Sequence, residues 1–137
     1  MRAVLDPNII VSALLSPNGA PAKTLLAWRE ARFDMIASPA LLGGLERVLA
    51  YPKLRRHIPP ASAEALLDLL RRGATIAADV VDPAPRSTDP ADDYLIALAE
   101  RERAALVSGD ADVLALRGQL PVFSAEEFLE WLAGLSG

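Results

Sequence analysis

The chain begins with MRAVLDPNIIVS (residues 1–12), in which a short apolar run leads directly into a carboxylate. Ala3 to Leu5 is predicted to be a buried strand, because short apolar runs are typical of strands in a parallel sheet. Asp6 then lies at the carboxyl end of that strand. Ligands bind at this edge of an open parallel α/β sheet, so the stretch predicts both a fold and the position of a site.

Acidic residues stand at the ends of predicted elements in two further places. DPADD (residues 89–93) opens a helical pattern, and LVSGDAD (residues 106–112) carries two aspartates directly after an apolar run. Carboxylates that converge at one edge repel one another, and a hard divalent cation relieves that repulsion. The three stretches together therefore predict a magnesium or manganese site.

The remaining pattern alternates between short apolar runs and amphipathic helical segments. Strands are predicted at residues 3–5, 33–37, 74–81, 105–107 and 120–123. Helices are predicted at residues 9–15, 22–32, 39–51, 61–72, 89–103 and 110–116, and from residue 124 onward. Ser38-Pro39 and Asp89-Pro90 each provide a cap followed by proline at the first helical position, and Ser124 to Glu127 is a capping box. This alternation predicts a layered α/β fold around a mainly parallel sheet, with residues 1–137 forming one domain.

Composition excludes several classes of protein. Hydrophobic residues make up 52% of the 137 positions and charged residues 23%, which is neither disordered nor fibrous. Cysteine is absent, which excludes disulfides and thiolate metal sites and fits a reducing compartment. No apolar stretch approaches the ~18 residues needed to span a bilayer. Asp6 interrupts the N-terminal apolar run too early for a secretory signal, so we expect a cytoplasmic protein without a membrane partner.

Charge is distributed unevenly along the chain. The formal net charge of −4 argues by itself against nucleic-acid binding. Residues 51–72, however, carry five basic against two acidic side chains, whereas residues 79–112 carry three basic against nine acidic ones. An acidic centre beside a cationic rim suits phosphate binding, and Lys53, Arg55 and Arg56 are the candidate RNA contacts. Ordinary solvated surface charge is the alternative interpretation.

Four motifs together resemble the PIN-domain family over nearly the whole chain. They are DPN (residues 6–8) with Ser12, RVLAYPKL (47–54) after the Ser38-Pro39 helix start, DPADD (89–93) and SGDAD (108–112). The resemblance is closest to the branch of VapC-like toxins of toxin–antitoxin systems. It implies a three-layer α/β/α sandwich that acts as a metal-dependent ribonuclease. It also implies RNA as substrate, a cognate antitoxin protein as partner, and a homodimer.

The resemblance also implies roles for individual residues. Asp6, Asp93 and Asp110 match the catalytic acids that bind Mg²⁺ or Mn²⁺ in this family, and Asp112 matches a nearby auxiliary acid. Asn8 matches a polar residue that supports the site, and Ser12 and Ser108 match its hydroxyl-bearing neighbours.

Two positions depart from the family pattern. Pro7 replaces a threonine and so supplies neither a hydroxyl nor a backbone donor. Gly44 stands where the family places a glutamate on the helix facing the site. Glu46 is two residues further on, about 200° around the helix, and is predicted to face solvent. A PIN fold that binds RNA or an antitoxin but cleaves weakly or not at all is therefore the alternative to an active ribonuclease.

Two other phosphate-transferring classes fit less well. A haloacid-dehalogenase-like phosphatase needs a second aspartate where this chain has Asn8, and it needs a late lysine. A phosphoacceptor receiver domain needs a late lysine too. The only lysines are Lys23 and Lys53.

Overall fold

The centre of the molecule is a five-stranded parallel sheet in the order β3-β2-β1-β4-β5. The structure is a computed structural model, and it describes residues 1–136. The strands are β1 (Arg2–Leu5), β2 (Asp34–Ala37), β3 (Thr75–Ile76), β4 (Ala105–Val107) and β5 (Val122–Phe123). The first strand of the chain thus occupies the middle of the sheet.

Helices connect and cover these strands. They are α1 (Pro7–Leu15), α2 (Ala20–Arg29), α3 (Pro39–Leu49), α4 (Pro52–Arg55), α5 (Pro60–Gly73), α6 (Asp93–Arg101), α7 (Ala111–Leu114) and α8 (Ala125–Ser136). A single 3₁₀ turn, Pro90–Asp92, leads into α6. Since parallel strands need crossover connections, this order gives the predicted three-layer α/β/α sandwich, and the fold class is confirmed.

Helix starts follow the predicted cap signals. Proline stands in the first turn of each helix from α1 to α5, where its missing N–H would have no helical partner. The Ser38 hydroxyl accepts the Leu41 N–H at 3.2 Å. At the start of α8, the Ser124 N–H donates to Glu127 Oε1 at 2.8 Å and the Glu127 N–H donates to the Ser124 hydroxyl at 3.2 Å. These contacts confirm the predicted cap at Ser38 and the capping box.

The sheet reverses its order between β1 and β4. β1 pairs with β2 on one side and with β4 on the other, where Leu5 lies opposite Val107. The Asp6 N–H extends this pairing by donating to the Val107 carbonyl at 2.9 Å. The residues that follow β1 and β4 therefore meet at the switch point, where a crevice opens in folds of this kind.

Several predicted elements have different bounds in the structure, and two of them bear on the site. The strand expected at residues 74–81 is only Thr75–Ile76, because the chain then turns away and Asp79 accepts the Ala40 N–H at the start of α3. The helix expected to continue to residue 51 ends at Leu49, and Pro52 begins the separate short helix α4. Within residues 1–136, none of the helices combines the length and apolar character that crossing a bilayer requires.

Candidate metal centre

Asp6 stands directly after β1 and is held on both of its oxygens. Its side chain is 4% exposed, Oδ1 accepts the Asn8 N–H at 3.0 Å, and Oδ2 accepts the Ser108 hydroxyl at 2.8 Å. Burial raises the pKa of this carboxyl, the two hydrogen bonds oppose that rise, and the neighbouring Asp110 charge adds to it. The carboxylate is consequently fixed in orientation at the floor of the crevice.

Ser108 connects the acid of β1 with the acid that follows β4. Its fully buried hydroxyl donates to Asp6 and accepts the Asp110 N–H at 3.0 Å. Asp110 in turn accepts the Asp112 N–H at 2.8 Å and so caps α7. The structure therefore places Asp6, Ser108 and Asp110 together, as the resemblance implied.

The 3₁₀ turn before α6 brings two more acids to the site. One carboxylate oxygen from each of Asp89, Asp92 and Asp110 lies within 4.8 Å of the others. Asp92 is only 9% exposed, and its Oδ2 is buried without a hydrogen-bond partner in residues 1–136. Buried polar atoms are normally paired, so this oxygen is free to contact a group that is not part of the protein chain.

The surroundings of Asp92 disfavour its ionised form. Burial is the largest cause, followed by the charges of Asp110, Asp6, Asp89 and Asp112, and together they raise the pKa of Asp92 to about 6. A bound cation would reverse the effect of these charges. The residues present thus fit a hard divalent ion, which prefers carboxylate oxygens.

Asp93, although adjacent, is not part of this group. Its Oδ1 accepts the N–H groups of Arg86 and Ser87 at 3.0 and 2.9 Å. These two hydrogen bonds hold the pKa of Asp93 below its usual range. The structure therefore brings Asp92, rather than the predicted Asp93, to the acidic centre, and Asp93 anchors the loop that precedes α6.

The spacing along α6 contains the signal that distinguishes the two aspartates. Leu95, Ile96 and Ala99 are buried on the face of α6 that packs against the sheet. Asp92 precedes them by three, four and seven residues, so it continues the same helical face. Asp89 lies three residues before Asp92, and its proximity to Asp110 was not predicted.

The other predicted neighbours of the site are placed as follows. Asn8 is exposed and lines the cavity beside Asp6, in addition to its backbone bond to that residue. Asp112 is exposed, but its charge contributes to the raised pKa of Asp92. Ser12 is not brought into the group, since it lies further along α1, where its carbonyl accepts the Ser16 N–H.

Gly44 faces the same cavity from α3. The cavity has a volume of about 250 Å³, and its wall includes Asp6, Gly44, Arg47, Asp92 and Tyr94. Burial and the charge of Asp6 are the main causes that raise the pKa of Tyr94 to about 12. The helix position where the resemblance expects an acid thus faces the site but carries no side chain.

Glu46 does not replace the missing acid. Its side chain is 63% exposed and pairs with Arg71 of α5 at 3.1 Å. The prediction that Glu46 faces solvent is confirmed.

The predicted RNA contacts lie beside the cavity rather than inside it. Lys53 and Arg55 belong to α4, Arg56 follows it, and all three side chains are exposed. Tyr51, immediately before α4, lines the cavity and is 55% exposed. The basic segment therefore borders the opening of the acidic centre.

Comparison with known proteins agrees with this architecture. The PIN domain family matches residues 2–112, most of the chain. The uncharacterized protein MJ1680 of Methanocaldococcus jannaschii is 27% identical over 143 residues, which cover 95% of this chain and 90% of that protein. PIN domains are typically nucleases that use divalent metal ions, and the acidic group described above could bind one. With its parallel sheet, its strand-end acids and this match, the chain belongs to the PIN domain family.

Proposed function

We propose that the protein is a divalent-metal-dependent endoribonuclease that hydrolyses phosphodiester bonds in single-stranded or structured RNA. The observation that carries the proposal is the buried, unpartnered Oδ2 of Asp92 beside the carboxylates of Asp89 and Asp110. An acidic centre of this kind is unfavourable for a phosphate unless a cation is present.

Each acid has a distinct part in holding the ion. Asp92, Asp110 and Asp89 would provide the open ligand oxygens, and Asp6 would complete the centre from the floor of the crevice. A bound Mg²⁺ or Mn²⁺ would neutralise charge on the phosphate and lower the pKa of a water molecule. Ser108 keeps Asp6 and Asp110 in place, so it is a positioning residue rather than a catalytic one.

The biological setting is proposed from the resemblance to VapC-like toxins. In that setting the protein is the cytoplasmic toxin of a toxin–antitoxin pair. A homodimer is the working form, and a cognate antitoxin protein restrains it. Lys53, Arg55 and Arg56 would contact the RNA, because they are exposed cations next to the cavity.

Gly44 supports a second candidate function. A centre that lacks the helix acid has one ligand fewer, and the same fold could then bind RNA or an antitoxin while cleaving weakly or not at all. The acids at Asp89, Asp92 and Asp110 favour the active enzyme, since a pure binding module has no need for repelling carboxylates in one crevice.

A metal titration combined with an RNA cleavage assay separates the two candidates. We expect Mg²⁺ or Mn²⁺ to raise the melting temperature, because only the folded state assembles the acids. We also expect metal-dependent cleavage of a single-stranded RNA. The Asp110→Asn variant should lose this cleavage. A metal response without cleavage would favour the binding module, and the absence of both would contradict the metal centre itself.

A further inference from the structure

The absence of a side chain at Gly44 creates a recess into which two donor groups project. A Cβ atom added to Gly44 would lie 3.7 Å from Arg47 Nη2 and 3.8 Å from the Tyr94 hydroxyl. Arg47 comes from the next turn of α3, and Tyr94 comes from the first turn of α6. The space left by the glycine is therefore lined by a guanidinium and a phenol.

Arg47 pairs with no carboxylate in the part of the chain that the structure describes. Six other arginines form ion pairs, namely Arg2, Arg71, Arg72, Arg86, Arg101 and Arg117, whereas Arg47 forms none within residues 1–136. It is exposed, so its side chain is accessible from solvent. A guanidinium that lines a cavity without an acidic partner is available for an anion from outside.

The recess and the acidic centre are parts of the same cavity. Asp6 and Asp92 line this cavity together with Arg47 and Tyr94. A phosphodiester group has two anionic oxygens, so it can face a cation held by the acids on one side and N–H and O–H donors on the other. A cavity lined by both acids and donors thus complements one phosphate group of a nucleic-acid strand when a cation is bound.

We propose that Arg47 and Tyr94, meeting at Gly44, form a phosphate-binding subsite for a single-stranded RNA substrate next to the metal centre. The inference rests on the proposed ribonuclease function for the identity of the strand. It gives Gly44 a positive role, because a larger side chain at this position would fill the recess beside Arg47 and Tyr94. Arg47 is then a substrate-binding residue next to the metal centre.

The test measures binding rather than cleavage. A short fluorescein-labelled single-stranded RNA is titrated with the protein in calcium at several salt concentrations, and its integrity is checked on a gel. We expect Arg47→Gln to weaken binding about tenfold at low salt, as loss of a hydrogen bond to a charged group does. We also expect the slope of log K against log salt to decrease by about 0.7, the value for one phosphate contact on a single strand.

Matched variants test the geometry. Arg32→Gln removes an exposed arginine that forms no ion pair within residues 1–136 and lies just before β2, toward the amino ends of the strands, so it should leave affinity and slope unchanged. Gly44→Leu should weaken RNA binding by filling the recess, whereas Gly43→Leu should not, since a Cβ on Gly43 meets no atom within 4 Å. Tyr94→Phe should weaken binding without a change in salt slope, because it removes a neutral donor.

The possible outcomes have distinct meanings. If the parent binds RNA and Arg47→Gln binds it with equal affinity and equal slope, the subsite is overturned while the proposed function stands. If the parent fails to bind the RNA in calcium, the subsite is overturned, while cleavage in Mg²⁺ or Mn²⁺ decides the proposed function separately. If Arg47→Gln reduces the metal-induced rise in melting temperature as strongly as Asp92→Asn does, Arg47 supports the acids instead, and the subsite is overturned.

Discussion

Asp92 and Asp93 are neighbours in the chain, but their carboxylates have opposite environments. The Asp93 oxygen accepts two backbone N–H groups from the preceding loop, whereas Asp92 Oδ2 is buried without a hydrogen-bond partner in residues 1–136 and is surrounded by the charges of four other acids. One aspartate therefore stabilises the folded chain, and the other destabilises it in the absence of a cation.

The first prediction follows from this difference. Asp92→Asn should raise the stability of the metal-free protein at neutral pH, because ionising a carboxyl whose pKa is about 6 rather than 3.8 costs the folded state up to about 3 kcal/mol. The same variant should lose the stabilisation by Mg²⁺ or Mn²⁺. Urea unfolding with and without metal measures both effects.

Asp93→Asn is the matched control. It should lower the stability of the protein, because its hydrogen bonds to Arg86 and Ser87 favour the charged form. Its metal response should be retained. If Asp93→Asn abolishes the metal response and Asp92→Asn preserves it, our assignment of the two aspartates is reversed.

The second prediction concerns pH. The folded state holds the Asp92 proton more tightly than the unfolded state does, since the folded pKa is raised. The contribution of Asp92 to the free energy of unfolding should therefore fall as pH rises from about 4 to about 6 and stay constant above that. The stability difference between Asp92→Asn and the parent should grow over the same interval, as urea titrations at a series of pH values would show.

Metal binding should have the opposite pH dependence. A cation needs the ionised carboxylate, so the metal-induced rise in melting temperature should decrease when pH falls through about 6. A metal response that is constant between pH 7 and 5, values chosen to bracket that pKa, would show that Asp92 is not a ligand.

The third prediction adds a carboxylate to the cavity. Gly44→Glu should increase the metal-induced rise in melting temperature, because its side chain starts in the cavity that holds Asp6 and Asp92. Its Cβ makes only ordinary contacts, at 3.7 Å or more, so the variant should fold. Replacing the glycine should also favour the helix by up to about 1 kcal/mol.

Gly43→Glu is the control for the gain in helix propensity. It lies on the same helix about 100° away, in open space, and should gain similar propensity without a stronger metal response. Equal metal responses in the two variants would indicate that a carboxylate at position 44 does not reach the ion.

The fourth prediction tests the basic segment beside the cavity. Reversing Arg55 and Arg56 to glutamate should weaken RNA binding most strongly at low salt, because exposed cations act through long-range attraction to phosphates. The metal response should survive, since neither residue lines the acidic cavity. Reversal of Arg29 and Arg32, two exposed arginines at and just after the end of α2 that do not line the cavity, is the control. Equal RNA affinity in both double variants would make the segment ordinary surface.

The sequence predicted the sheet well because its strand and helix signals are local. Caps such as Ser38 and the capping box at Ser124 act within one turn, and the structure reproduces both contacts. The strand after Gly73 was predicted too long, because its end depends on Asp79 bonding to Ala40, a contact between residues distant in sequence. The motif DPADD (residues 89–93) did not show which of Asp92 and Asp93 faces the acidic centre, since this depends on which face of α6 packs against the sheet.

The central position of β1 has a consequence for synthesis of the chain on the ribosome. Asp6 is made 102 residues before its partner Ser108, and β1 cannot pair with β4 until residues 105–107 have emerged. Closing so long a loop is slow compared with forming the local helices. The nascent protein therefore has no assembled acidic centre until residues 105–110 have left the ribosome, so any hydrolytic capacity would arise only after that stretch has been made.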